Sequence, residues 1–243
     1  MTYEGGVWYQ ATCNAQQVLD EGLALLNQEQ NILTGNLRIA APSHLGRTRL
    51  LEWLSEFQLL HPSITPIVQV HDGADNLIAD SVDVALRYGK PTEPGFIVNV
   101  LAPNNRRVIC ASPAYWQKQG LPTHPMDLLK HRCLAFHIRN QPYVHWAFAK
   151  EDEHIEIKIT PALLSNDGAI VRHWARQDLG VMFRSYLDVE DDIRAGHLQQ
   201  ALGDWMGEPC PLYLVRLGNR LWPLRVQAFW NFCRMKMQMD VSA

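Results

Sequence analysis

The 243-residue sequence predicts an α/β protein of two lobes, and three observations carry that reading. Short apolar runs closed by Pro, Ser or Gly lead repeatedly into amphipathic segments: 36–41 into Pro42-Ser43-His44-Leu45-Gly46, then 81–89, then 106–115. Strands feeding helices in this way are the mark of an α/β sheet. The composition, 47% hydrophobic and 19% charged, suits a packed globular core. Finally, the pattern divides near 110–112 and again near 211–215. A chain that leaves one lobe, builds a second and returns gives two lobes joined by two crossing strands, with a cleft between them.

The elements follow in order. Trp8, Ala11, Ala15, Val18, Gly22, Leu25 and Ile32 recur at three- and four-residue steps, broken at Glu29, and Leu19, Leu23, Leu26 and Leu33 widen the stripe. This predicts a helix over 7–33 of about seven turns. Its stripe suits a partner helix; packing on its own domain is the other reading. Thr34-Gly35-Asn36 stops it. Strand 36–41 leads to a helix at 45–60 with Leu50, Leu51, Leu54, Phe57 and Leu60 inward, ended before Pro62. Strands at 64–70, 82–87, 98–102 and 107–111 follow, with a short helix at 76–80 and helices at 114–119 and 126–130. A second set of strands reads at 133–138, 146–149, 155–159 and 163–164. Asp167 offers an N-cap for a helix reaching about 176. Then come a strand at 179–183, a short helix at 189–194, an edge strand at 197–202 and a strand at 211–216. Pro223 opens a terminal helix to about 237 with Val226, Phe229, Trp230 and Cys233 inward.

Net charge is −3, and residues 1–35 hold four acids (Glu4, Asp20, Glu21, Glu29) with no Lys or Arg, leaving +1 for the rest. That distribution lacks the basic footprint of a DNA-binding surface. Five scattered cysteines without CxxC spacing read as reduced, buried thiols. The start lacks the basic and apolar regions of a signal peptide, and no run approaches the ~18 apolar residues of a membrane span, so a soluble cytoplasmic protein without membrane contact is expected. His124, His131, Cys133 and His137 match no zinc spacing, and no nucleotide, metalloprotease or nucleophile-elbow motif occurs. Neither a metal, a cofactor nor an enzymatic activity is expected.

The order and spacing of several phrases resemble LysR-type transcriptional regulators. They are Gly35-Asn36-Leu37-Arg38-Ile39, Pro42-Ser43-His44-Leu45-Gly46, Asn76-Leu77-Ile78, Asp83-Val84-Ala85-Leu86-Arg87-Tyr88-Gly89 and Cys110-Ala111-Ser112-Pro113-Ala114-Tyr115. Later ones are Pro125-Met126-Asp127-Leu128, His131-Arg132-Cys133-Leu134, Trp146-Ala147-Phe148, Ser165-Asn166-Asp167-Gly168 and Leu179-Gly180-Val181. The resemblance runs over 36–236 and is to the effector-binding domain. It implies the type II periplasmic-binding-protein fold: two Rossmann-like lobes joined by two hinge strands and preceded by a linker helix. Residues 1–35 would be the linker and dimerisation helix and 36–243 the effector-binding domain. Lobe I is then expected at about 36–110 plus 213–243, and lobe II at about 111–212. The start resembles the end of a winged helix-turn-helix, so DNA contact is expected only through a reading helix absent from these residues. The resemblance further implies a homodimer or homotetramer and a small-molecule effector, anionic or polar. A cytosolic solute-binding protein of the same fold is the alternative, and an enzyme on that scaffold a more distant one.

Candidate effector contacts are Ser43, His44, Leu45, Phe136, His137, Asn166, Asp167 and Arg184. Ser43 sits where a strand enters a helix, a place suited to a carboxylate, though capping alone also explains it. Asn166 and Asp167 open a second-lobe helix and carry the same two readings. Phe136 and His137 end one strand and Arg184 another; a guanidinium there suits an acid effector or is a surface charge. Asp83 and Arg87 share a strand face, where structural pairing or backbone bonding is favoured over ligand contact.

Overall fold

A computed structural model describes residues 2–28, 33–70, 72, 82–91, 94–138, 141–218 and 222–242; the expected helix at 76–80, and Glu29 and Ile32 of the first helix, lie outside them. Helix α1 spans Tyr3–Gln28. The Thr2 hydroxyl accepts the Gly5 N–H at 3.2 Å and so caps it. Of the expected stripe, Trp8, Ala11, Ala15, Val18 and Gly22 all stand exposed, Trp8 at 78%.

In the first lobe, β1 (Gly35–Ala41) runs into the five-residue α2 (Ser43–Arg47) and then α3 (Arg49–Leu60). The single expected helix is broken at Thr48 (φ −121°, ψ −100°), whose hydroxyl bonds back to the His44 carbonyl at 2.9 Å. Because α3 restarts at Arg49, its inward face is Leu50, Trp53 and Phe57, whereas Leu51 and Leu60 are exposed. Strands β2 (Ile64–Val70), β3 (Val84–Tyr88) and β4 (Phe96–Ala102) complete the lobe's forward passage. The Asp83 carboxylate accepts the Arg38 N–H at 2.8 Å, the backbone role expected of it.

The chain then crosses to β5 (Arg107–Ala111), α4 (Pro113–Gln119), a 3-10 turn at Pro125–Lys130, β6 (Cys133–Ile138) and β7 (Gln141–Pro142). Next are β8 (His145–Lys150), β9 (Glu153–Lys158), β10 (Pro161–Ser165), α5 (Gly168–Arg176), β11 (Val181–Ser185), α6 (Glu190–Arg194), β12 (Gln199–Ala201) and β13 (Met206–Gly207). β11 starts later than expected because Asp178 (φ +59°) turns the chain after α5 and Gly180 passes the Arg132 carbonyl too closely for a side chain. The return strand β14 (Leu212–Leu217) and α7 (Leu224–Ser242) close the first lobe.

The first sheet has the order β2-β1-β3-β14-β4 and the second β10-β6-β11-β5-β12. Each holds parallel strands beside one strand that the crossing chain delivers antiparallel: β14 against β3, and β5 against β11. Residues 107–110, expected in the first lobe, therefore belong to the second sheet. The two crossings lie side by side, joined by the Arg106–Pro209 bridge and by the Cys210 N–H on the Asn105 carbonyl at 2.8 Å. The Asn105 amide also donates to Ser185 Oγ at 2.9 Å, and its oxygen accepts the Leu187 N–H at 3.2 Å. The β13-β8-β9 sheet is an addition that the strand assignments left unplaced.

Each lobe has its own core. In the first, Phe57 meets Phe229 and Phe232 edge-on at 5.3 Å, with Leu37 and Ile39 beneath. The expected inward residues of α7 (Val226, Phe229, Trp230, Cys233) are all in it. In the second, Trp146, Phe148 and Phe183 pack on one face of the sheet, and Phe136, Val171 and Met182 on the other.

Candidate site between the lobes

The site is built where β1 and β10 end. After β1, Pro42 (φ −55°, ψ 144°) turns the chain and α2 begins at Ser43. α2 presses on β2 so closely that a Cβ at Gly46 would lie 2.4 Å from Val70 Cγ1, so only glycine fits. After β10, the Ser165 hydroxyl accepts the Asp167 N–H at 3.1 Å, and Asp167 caps α5 by accepting the Ala169 N–H at 2.8 Å. The two helix starts, one from each lobe, meet across the cleft.

They meet on Asp72, which follows β2. Its Oδ1 accepts the Ser43 N–H at 2.9 Å and its Oδ2 accepts the Ser43 hydroxyl at 2.6 Å. The same Oδ2 accepts the Gly168 N–H from the opposite lobe. Arg47 reaches over to Asp167 at 3.0 Å. Burial opposes ionisation of Asp167, but the Ala169 N–H and the Arg47 guanidinium outweigh it and hold the carboxyl below its ordinary range. Two further pairs bridge the lobes: Arg49 with Glu190, and the Tyr88 hydroxyl with Asp188 at 2.8 Å.

Behind Gly168 lies Arg184, 3% exposed. Its Nη2 donates to Asp188 at 2.6 Å, its guanidinium stacks over Phe136 at 4.3 Å, and its Nε is buried without a hydrogen-bond partner among the described residues. A Cβ on Gly168 would come within 2.4 Å of that guanidinium. Beside it, Asp192 takes both Nε and Nη2 of Arg172. Burial above all, with Arg172 and Arg184 in support, lowers the His44 pKa against the opposing pull of Asp188 and Asp192. Burial and then Asp188 push the Tyr88 phenol well up, so it stays a donor.

Of the expected contacts, the structure brings Ser43, Asp167 and Arg184 to one place, with His44 and Phe136 adjoining. Leu45 lies apart from them: its side chain is buried in the first lobe's core. Two residues beyond Ser43, about 100° apart each, turn it away from the cleft. His137 lies apart as well, since successive strand residues face opposite ways and Phe136 takes the side under Arg184. Asn166 stands exposed, one residue short of the cap. Asp72 went unnoticed in the sequence, although one signal was there: Asp72-Gly73-Ala74 repeats Asp167-Gly168-Ala169, each following an outer strand of its lobe.

The Ser43 hydroxyl donates to a carboxylate, and burial raises the thiols of Cys110, Cys133, Cys210 and Cys233, that of Cys133 to about 12. No helix among the described residues is long and apolar enough to cross a membrane.

Known proteins agree with this geometry. The LysR substrate binding domain matches residues 30–238. The transcriptional regulator DmlR of Escherichia coli K12 is 30% identical over 218 residues, covering 90% of this chain and 69% of DmlR. The transcriptional activator TtdR of the same strain is 27% identical over 204 residues, covering 80% of this chain and 66% of TtdR. The chain thus spans about two thirds of these relatives' length. Among solved structures, the regulatory domain of CrgA, a LysR-type regulator from Neisseria meningitidis, superposes with a TM-score of 0.75 at 26% identity, over 84% of this chain and 99% of that domain. The full-length virulence activator AphB of Vibrio cholerae gives 0.71 at 23% identity, over 96% of this chain and 79% of that one, a likeness of fold. The two crossed lobes, the facing helix starts and this kinship together place the chain in the family of LysR-type transcriptional regulators, as their effector-binding domain.

Proposed function

We propose that the cleft between Ser43 and Gly168 receives a small anionic or polar metabolite, and that its binding sets the relative position of the two lobes. The observation that supports this most is the character of the lobe contact. The cores are separate, and the lobes are tied across the cleft by charged and hydrogen-bonded pairs: Arg47–Asp167, Arg49–Glu190 and Tyr88–Asp188. Polar interfaces of this kind permit domain motion, and a ligand shifts such an equilibrium by its difference in affinity for the two states. In the whole protein this displacement would reach DNA through a reader outside these residues and through contact between copies. Exposed Trp8, Val18 and Leu19 on α1 are the surface proposed to join a second copy, as dimer or tetramer. The protein acts in the cytoplasm and regulates without catalysis.

Calorimetric titration of the chain with a panel of small carboxylates and neutral polar metabolites tests the reading. At least one is expected to bind once per chain and to weaken about tenfold or more in Ser43→Ala, the loss of one charge-assisted hydrogen bond. Binding by none, or binding indifferent to Ser43, would contradict it.

A further inference from the structure

His44 is buried where the lobes meet, 6% exposed. It stands on α2 of the first lobe, and α2 packs against α5 and the 3-10 turn Tyr186–Asp188 of the second. An imidazole, with an ordinary pKa of 6.5, changes charge close to neutral pH. The charges that face this one come from the opposite lobe: Asp188 on the turn, Arg172 on α5, Arg184 on β11 and Asp192 on α6. Both carboxylates already hold cations. Asp188 takes Arg184 as well as the Tyr88 hydroxyl, and Asp192 takes Arg172, with Arg176 at 3.7 Å and His197 at 3.5 Å. Three guanidiniums thus stand against two carboxylates, so a proton on His44 would add to an excess of positive charge. Other charges on the elements packed around α2 are engaged with one another. Arg47 pairs with Asp167, Arg49 with Glu190 and Glu56 with Lys236, while Asp72 holds Ser43 and Gly168. His173 on α5 is exposed to water.

We propose that His44 is a proton-operated release for the lobe contact: neutral, it lets the second lobe close on α2, and protonated, it drives the lobes apart. The inference rests on the lobe motion of the proposed sensor and adds the proton as a second effector. A charged imidazole needs water or an uncommitted anion, and the closed contact supplies neither. Parting the lobes gives His44 water and takes it away from Arg172 and Arg184. Burial first, then those two guanidiniums, hold its pKa below 6.5 in the closed arrangement, against the pull of Asp188 and Asp192. The sign follows from that difference. Above pH 6.5 the ring is neutral in both arrangements, and pH leaves their balance unchanged. Below it, the parted arrangement takes up the proton first. The ratio of parted to closed chains then rises by at most about tenfold per pH unit, until the closed ring is protonated too. The Tyr88–Asp188 and Arg49–Glu190 bridges open with the contact. By linkage, a metabolite that binds the closed lobes binds more weakly in acid.

Distances between paired spin labels follow the lobes directly. Labels are attached through Glu52→Cys on α3 and Gln177→Cys after α5, both exposed positions, in a chain carrying Cys13→Ser. The cysteines at 110, 133, 210 and 233 are buried, and an excess of unlabelled chain confines the reading to distances within one copy. Samples run from about pH 7.5 to about pH 5.5, with circular dichroism confirming the folded state at each step. The distance is expected to lengthen as pH falls, with its midpoint below pH 6.5. His44→Gln, which keeps a neutral polar side chain, should hold the short distance throughout. If that variant folds poorly, the ring of His44 in the otherwise native chain decides: its NMR titration should share the midpoint of the distance change. A distance indifferent to pH, one that shortens in acid, or a lengthening that persists in His44→Gln would overturn the proposal, as would a ring titration that departs from the distance change. None of these results touches the metabolite panel at pH 7.5. A panel that finds no ligand while acid parts the lobes would sink the metabolite reading and not this one.

Discussion

Arg184 and Asp188 form an ion pair shut away from water, with side chains 3% and 2% exposed. Charges so buried are tolerated because each has its partner, and Asp188 has the Tyr88 hydroxyl as well. Arg184→Met is therefore expected to cost about 3–5 kcal/mol by stranding Asp188. Arg184→Met with Asp188→Asn should cost less than the two single changes added together, as urea unfolding of the three variants would show. His44 supplies a pH signature. Its folded pKa is depressed below the ordinary 6.5, so the folded chain stays neutral at a pH where the unfolded chain takes up a proton. Its contribution to stability is then fully present above about pH 6.5 and is lost as pH falls from there toward the folded value. The drop in Tm between about pH 7.5 and about pH 5.5 should be smaller in His44→Gln than in the native chain. At this scale the sequence was half legible. Ser43, Asp167 and Arg184 were named because strand ends and helix starts are visible in the pattern. Asp72 was missed because its role depends on a partner 96 residues away, which no local pattern records.

Among the elements, α5 is the one whose local chemistry bears most on the proposed site. Its first residue, Gly168, leaves the space of a side chain to the Arg184 guanidinium, so Gly168→Ala should displace Arg184, lower Tm and weaken any ligand that uses the Gly168 N–H. Thermal unfolding of that variant, beside Gly203→Ala, where an added Cβ would meet no described residue within 4 Å, separates the crowding from a general glycine effect. α3 carries the first lobe's core through Phe57, fully buried against Phe229 and Phe232, and Phe57→Ala is expected to destabilise by about 3–5 kcal/mol in urea. Most strands and helices could be read from periodicity, and α7 was read to its inward residues. The register of α3 could not, because leucines at 50, 51, 54, 59 and 60 offer two stripes and the break at Thr48 decides between them. The β8–β9 hairpin was seen as two strands but not as a separate sheet, since strand partners are set by packing around Trp146 and Phe183 rather than by either strand alone.

For the molecule as a whole, the exchange of strands explains both the hinge and the cleft. Each sheet depends on a strand delivered by the crossing chain, so the lobes cannot separate, and among the described residues the paired crossings around Asn105 and Cys210, several polar bridges and Leu187 against the first lobe's core set their angle. The two-lobed plan was legible because the chain visibly leaves and returns; the exact crossing was not, and β5 fell on the far side of it. A sensor needs a site that both lobes build, and the most direct test follows the backbone amides of Ser43 and Gly168 by NMR while the metabolite that binds in calorimetry is titrated into the labelled chain. The account predicts that both resonances move together and saturate at the same ligand concentration. Movement of one without the other, or of neither while the ligand binds, would contradict it.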